Sequence, residues 1–148
     1  MSGEFTQMNK SFIHKAMKDW DSTDGHDSEE KNRIALILRK LRFYPVFDRT
    51  IFINKQNHTW TDEHPRGYNS KADLLRDYEV FIPDILIKKY NMIIELDGNF
   101  HFNTKKGVRQ TNKRNEYYEY AGIRLIWFHS TMLKDLSDYD IARQIVGY

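Results

Sequence analysis

Three acids set in otherwise apolar stretches are the residues of this chain best placed to do chemistry. Asp84 follows Pro83 inside VFIPDILI (80–87), and Glu95 and Asp97 close MIIELD (92–97). Side chains alternate across a strand, so Glu95 and Asp97 project from one face, and Asp84 shares a face with Ile82 and Leu86. The KKYN between the two runs reads as a hairpin connection. With Lys89–Tyr90 as a two-residue turn, Asp84 lies opposite Glu95; a register shifted by two residues puts it opposite Asp97 instead. Either register collects three carboxylates on one face, where they repel one another unless protons or a cation neutralise them. A divalent ion sharing the site with a phosphate accounts for such a cluster economically. The plainer alternative pairs each acid with a base, for which Lys88 and Lys113 are at hand.

Composition narrows the chemistry further. The chain of 148 residues is about one domain long, and with 40% hydrophobic and 30% charged residues it can bury a real core. It has no cysteine, which excludes disulfides, Cys-ligated zinc, iron–sulfur clusters and thiol catalysis. A metal must then be held by Asp, Glu, His or carbonyl oxygens, which favours hard ions such as Mg²⁺, with Mn²⁺ as a substitute. No run of 18 apolar residues and no apolar leader is present, so no membrane partner and an intracellular location are expected. The formal charge of +2 says little about partners, but its distribution says more. Residues 1–30 carry three lysines against seven acids, and residues 31–49 carry six bases against Asp48 alone. Lys105, Lys106, Arg109, Lys113 and Arg114 form a second basic run without an acid. Two basic clusters on one small domain suit a phosphate backbone, although solvated helix faces produce the same pattern.

The elements that would position these residues read as follows. Residues 1–26 form an N-terminal segment, with 1–7 resembling an expression-tag remnant and a short helix over 9–20; residues 27–148 form a single domain. A helix over 27–42 is signalled by Asp27 as N-cap, Glu30 three residues on, and Ile34, Ile37, Leu38 and Leu41 at helical spacing; Pro45 stops it. Residues 43–53 read as extended and 54–71 as a long polar loop. His58 and His64 in that loop are weak candidates for zinc, and Trp60 and Tyr68 are more simply read as packing than as base-stacking residues. After the two strands comes a helix over 108–121 ending at Gly122, a buried strand over 123–129, and a closing helix over 131–146. The expectation is an α/β sandwich of order αβββαβα around a mixed sheet.

Taken together, Pro83-Asp84 and, after ten intervening residues, Glu95-Leu96-Asp97 resemble the PD-(D/E)xK nuclease signature. IIELDGNFH (93–101), a basic helix and AGIRLIWF (121–128) are similar to the branch of that superfamily related to very short patch repair endonucleases, which carries E-x-D-G-x-x-H. EEKNRIALILRKLRF resembles the leading helix of that family, whose glutamate reaches the active site; Glu30 matches it. The resemblance spans about residues 28–128 and implies a restriction-endonuclease-like sandwich and Mg²⁺-dependent hydrolysis of DNA, with an origin in a phage or mobile element compatible with it. It implies Asp84, Glu95 and the carbonyl of Leu96 as metal ligands, Glu30 as holder of a water, and His101 as proton shuttle or stabiliser of the leaving oxygen. Asp97 stands where the superfamily usually has lysine, and either binds a further water or tethers His101. Where relatives have D-x-x-R in the following helix, this chain has Thr111-Asn112-Lys113-Arg114, keeping the arginine without the acid. Lys105, Lys106, Arg109, Lys113 and Arg114 are the expected DNA contacts. Oligomeric state, including a homodimer, and target choice stay open. The alternative from another class is a binding module on a nuclease-derived fold that does not cut.

Overall fold

The structure is a computed structural model that describes residues 29–97, Asp97 by its backbone alone, and residues 105–147. The helix expected over 9–20, the N-cap Asp27, and Gly98 and His101 lie outside the described residues. The chain is mixed α/β, and its described part divides into two packing units, residues 29–45 with 128–147, and residues 46–127. No described helix is long and apolar enough to cross a membrane.

In the first unit, α1 (Glu29–Lys40) buries Ile34, Ala35, Ile37 and Leu38, the stripe its periodicity requires. Its end is a Schellman turn: Phe43 N–H donates to Leu38 O (2.8 Å) and Arg42 N–H to Arg39 O (3.0 Å), with Arg42 left-handed at φ 62°. The single helix expected over 131–146 is instead two, α4 (Ser130–Leu133) and α5 (Asp138–Val146). Ser137 and Asp140 form a reciprocal capping box that starts α5 afresh. Arg33 of α1 then secures the corner. Its guanidinium donates to Asp138 Oδ1 (2.7 Å), Leu133 O (2.7 Å) and Leu136 O (2.6 Å), satisfying carbonyls that a helix end leaves open.

The second unit is built on two extended segments that pair with each other twice. Residues 43–53, expected as one extended run, give β1 (Val46–Phe47) and β2 (Ile51–Asn54); residues 80–87 give β4 (Tyr78–Phe81) and β5 (Ile85–Ile87). β1 pairs with β5 (Val46 with Leu86), and β2 pairs with β4 (Ile51 with Phe81), both antiparallel and in one continuous register. The ladder is interrupted between Pro83, which has no N–H, and Asp48, whose φ of 50° is left-handed and whose N–H reaches Asp84 O (3.4 Å). At that interruption the ribbon passes from one sheet to the other, and Ile82, expected to share a face with Asp84 and Leu86, is 63% exposed while Leu86 is buried. The first sheet has the order β1-β5-β6-β7, with β6 (Met92–Asp97) and β7 (Arg124–His129); the second has the order β3-β2-β4, with β3 (Trp60–Thr61). The loop expected over 54–71 therefore contains a strand, and the Asn54 and Asn57 side chains organise its first turn. Its last residues lead into a helix not expected from the sequence, α2 (Lys71–Asp77), capped by Ser70.

The β5–β6 hairpin has the first of the two registers considered, Ile85 with Ile94 and Ile87 with Met92. Its connection differs from a two-residue turn: Lys88–Tyr90 form a 3₁₀ turn and Asn91 closes it in the left-handed region (φ 48°). α3 (Lys105–Tyr120) runs back to β7 and stops in a second Schellman turn at Gly122, φ 71°, where Ile123 N–H donates to Tyr118 O (2.9 Å). Arg124 N–H reaches Asn91 O (2.8 Å), which sets the start of β7 beside the start of β6 and makes this crossover parallel. Ile51, Ile53, Leu86, Ile93, Tyr118 and Ile123 form the core between the sheets and α3.

Candidate active site

The face of β5 and β6 that carries Leu86 and Ile93 into this core continues, one pair further, with Asp84 and Glu95. Alternation makes this unavoidable: once Leu86 and Ile93 point inward, so do the residues two places along each strand. The apolar core thus gives way to two acids at the end of the hairpin. Asp84 sits at the interruption beside Pro83, where its carboxylate can bend toward β6; Oδ2 accepts the Leu96 N–H at 2.7 Å. In an extended strand the N–H and C=O of one residue point to the same edge, so the Leu96 carbonyl is directed to the edge where Asp84 stands.

Glu95 is 5% exposed and does not face Asp84 as a bare charge. Arg114 Nη1 donates to Oε2 at 3.2 Å, and the Tyr118 hydroxyl donates to Oε1 at 3.3 Å. These two donors are four residues apart on α3, hence on the same face of that helix, and the guanidinium lies 6.0 Å from the Tyr118 ring centroid. Asn115 Oδ1 accepts from Arg114 Nε and Nη2, both at 3.1 Å, and fixes the fork. Burial, and then the adjacent Glu95 charge, push the Tyr118 hydroxyl well above the ordinary tyrosine range. It therefore stays a proton donor to the carboxylate throughout the physiological range.

The expected bases are elsewhere. Lys88 pairs with Asp62 (3.0 Å) and Lys113 with Glu79 (3.0 Å), so the partner of Glu95 is Arg114, a residue the basic run had suggested for DNA. Arg114 is 11% exposed and its head group is turned inward. Lys105, Lys106 and Arg109 are exposed in the first turns of α3. With no acid in that first turn, their charges add to the positive end of the helix dipole. Beside them a cleft of about 300 Å³ is lined by Glu79, Phe81, Gln110, Thr111, Lys113 and Arg114. Glu30 belongs to the first unit, in the opening turn of α1, and is half-buried. His101 and the side chain of Asp97 lie outside the described residues. His58 stacks on Tyr120 (4.8 Å) and His64 packs edge-on against Phe52 (5.3 Å), which gives each a packing role.

Tyr118 is the member of this arrangement that sequence reasoning missed. The available signal was its i, i+4 spacing from Arg114 on the helix that must cover the hairpin.

No family model, curated protein or solved structure matches the chain. The chemistry of the donors is then the guide. Two carboxylates and a carbonyl, all oxygen, are the ligand type that hard divalent cations take. Arg114 and Tyr118 each take one Glu95 oxygen, and a carboxylate offers about four lone-pair positions, so these two donors alone do not fill it. Among the described residues no group of three His, Asp or Glu side chains is gathered closely enough to hold an ion without further ligands.

Proposed function

We propose that this chain is a Mg²⁺-dependent endonuclease acting on DNA, of PD-(D/E)xK type, on a restriction-endonuclease-like sandwich similar to that of the very short patch repair branch. The observation that carries the reading is the hairpin register, which sets Asp84 opposite Glu95 with the Asp84 carboxylate anchored on the Leu96 N–H. Asp84, Glu95 and the Leu96 carbonyl would hold the cation. Mg²⁺ or Mn²⁺, when bound, supplies Lewis-acid polarisation of a phosphoryl oxygen and lowers the pKa of water. The chain does the rest. The Leu96 N–H fixes the Asp84 carboxylate, and the Arg114–Tyr118 clamp holds Glu95 in one orientation, so little reorganisation accompanies reaction. Lys105, Lys106 and Arg109 hold the DNA backbone; Lys113 and Arg114, tied to Glu79 and Glu95, set the charge of the cleft wall. Asp97 ends β6 and His101 comes four residues later in the sequence; His101 would move a proton to or from the reacting oxygens, with Asp97 as its tether or as a water ligand. Glu30 would orient the attacking water.

The Glu95–Arg114 pair favours one second reading. An acid neutralised inside the fold has a structural role, and the basic start of α3 alone would then make a module that binds nucleic acid without cutting it. Incubation with supercoiled plasmid, matched and mismatched duplexes and a four-way junction separates the two, with Mg²⁺, Mn²⁺ or EDTA present. Cleavage that needs the metal and disappears in Asp84→Asn supports the nuclease. The Asn carbonyl still accepts the Leu96 N–H, so that variant keeps its fold. Salt-sensitive binding with no cleavage under either metal favours the binding module.

A further inference from the structure

The three-stranded sheet has two faces, and the nuclease reading uses only one. Ile51, Ile53 and Phe81 face the core, while Phe52 and Val80, paired across β2 and β4, face the other way. On that outer face lies a cleft of about 710 Å³, lined by Phe52, His64, Tyr68, Asn69, Ser70, Lys71, Leu74, Leu75 and Val80. Its volume is in the ~300–1,000 Å³ range of small-molecule sites. Its wall is aromatic and held in place. Phe52 meets His64 (5.3 Å) and Tyr78 (6.5 Å) edge-on, Tyr68 meets Tyr78 (5.9 Å), and the Tyr68 hydroxyl donates to Asp77 Oδ2 (2.9 Å). Rings fixed in this way cost little further ordering when a planar ligand stacks on them. The rim selects what that ligand carries. No lining residue is acidic, Lys71 supplies a positive charge, and among the described residues Lys71 makes no ion pair. Asn69 offers an amide, which presents a donor and an acceptor together, the pairing that reads a base edge. A purely apolar ligand leaves Asn69 and Lys71 without a function, and a cationic one meets Lys71.

We propose that this cleft takes one unstacked nucleotide of a DNA strand, its base against the Phe52–His64–Tyr68 wall with its edge on Asn69 and its phosphate on Lys71. The proposal rests on the nuclease reading and adds to it a place where base identity is sensed. Val80 in the cleft is four residues from Asp84, at most about 14 Å of extended chain, so the sensed base lies within a few nucleotides of the cleavage point.

The test uses the full chain in EDTA, where nothing is cut, titrated calorimetrically with the four deoxynucleoside monophosphates, with the matching deoxynucleosides, with deoxyribose 5-phosphate and with inorganic phosphate. Nucleotides should bind with a preference among the bases, and the two base-free probes about tenfold or more weaker. Lys71→Ala should weaken every nucleotide about tenfold and leave nucleosides unchanged, and Asn69→Ala should remove the preference among bases. Both positions are exposed on the rim, so neither substitution threatens folding. A second arm follows 2-aminopurine fluorescence in a duplex; a rise on binding that Lys71→Ala reduces places the nucleotide in a strand. No nucleotide binding, affinities unmoved by both substitutions, or a flat 2-aminopurine signal overturns the proposal. A protein that cleaves DNA yet fails these tests loses the cleft and keeps the nuclease. One that binds nucleotides here and cuts nothing loses the nuclease and keeps the cleft.

Discussion

Replacing Arg114 by Met removes the counter-ion that lets Glu95 sit inside the second unit. The two side chains are 11% and 6% exposed, so water and salt screen their attraction little. Breaking such a pair by removing one partner costs about 3–5 kcal/mol. Two features of the site hold the loss toward the lower end. Methionine keeps most of the buried stem, and the Tyr118 hydroxyl still donates to Oε1. Glu95 can also shed its charge by taking a proton, which against a reference pKa of about 4.3 costs at most about 3.7 kcal/mol at pH 7. A loss near 3 kcal/mol is therefore expected at pH 7, or roughly 6–12 °C in melting temperature for a chain of this size. In the variant, the folded state binds a proton that the unfolded state has released above pH ~4.3, so its deficit grows from pH 5 to pH 7 and shrinks on acidification. Urea denaturation at pH 5, 6 and 7 measures this. The double variant Glu95→Gln with Arg114→Met should recover most of the loss, because a neutral amide needs no counter-ion. An Arg114→Met protein as stable as the parent at pH 7, or with a deficit independent of pH, would refute the view of Glu95 as a buried ionised acid held by Arg114.

Asp84→Asn should abolish metal-dependent cleavage while changing stability by no more than about 1 kcal/mol, read by plasmid nicking beside a thermal melt; full activity from the folded variant rejects Asp84 as a metal ligand. The Tyr118 hydroxyl, pushed up by burial and by Glu95, keeps its proton in the folded state after the unfolded chain begins to lose it near pH ~10. Its stabilisation is thus complete below that pH and lost above it; Tyr118→Phe should flatten the alkaline fall in urea stability by the slope of one proton, and an unchanged slope counts against the assignment. Replacing Lys105 and Lys106 by Ala should reduce the slope of log K for DNA against log salt by roughly 2 units, whereas loss of the inward-turned Arg114 should leave the slope nearly unmoved. His101→Ala should slow cleavage about 100-fold without weakening DNA binding, and should remove a pH inflection near ~6–7; a parent-like rate with the same inflection makes it a bystander.

Much of the hairpin was legible without coordinates. Apolar residues that alternate with acids at 84, 95 and 97 admit few registers, because a slip by one residue turns every side chain to the other face. The opposition of Asp84 and Glu95 was one of two registers the residues allowed, and it is the one observed, even though the turn that closes it is a 3₁₀ turn with Asn91 left-handed. The ends of α1 and α3 were also readable, since Pro45 and Gly122 act on the local backbone whatever surrounds them.

What tertiary structure alone decided is who meets whom. Nothing local in residues 43–53 or 80–87 says that each run serves two sheets; that follows from their pairing with each other across Pro83 and Asp48. Nothing local distinguishes Arg114 from Lys113 in a run of five bases. The helix phase does: one helical step turns Lys113 to Glu79 and Arg114, with Tyr118 below it, to the buried Glu95. Charge composition is a property of the chain, but the partner of a charge is a property of packing. A residue's sequence neighbours set which way its side chain leaves the backbone, while the strand it reaches is set by contacts between elements far apart in the chain.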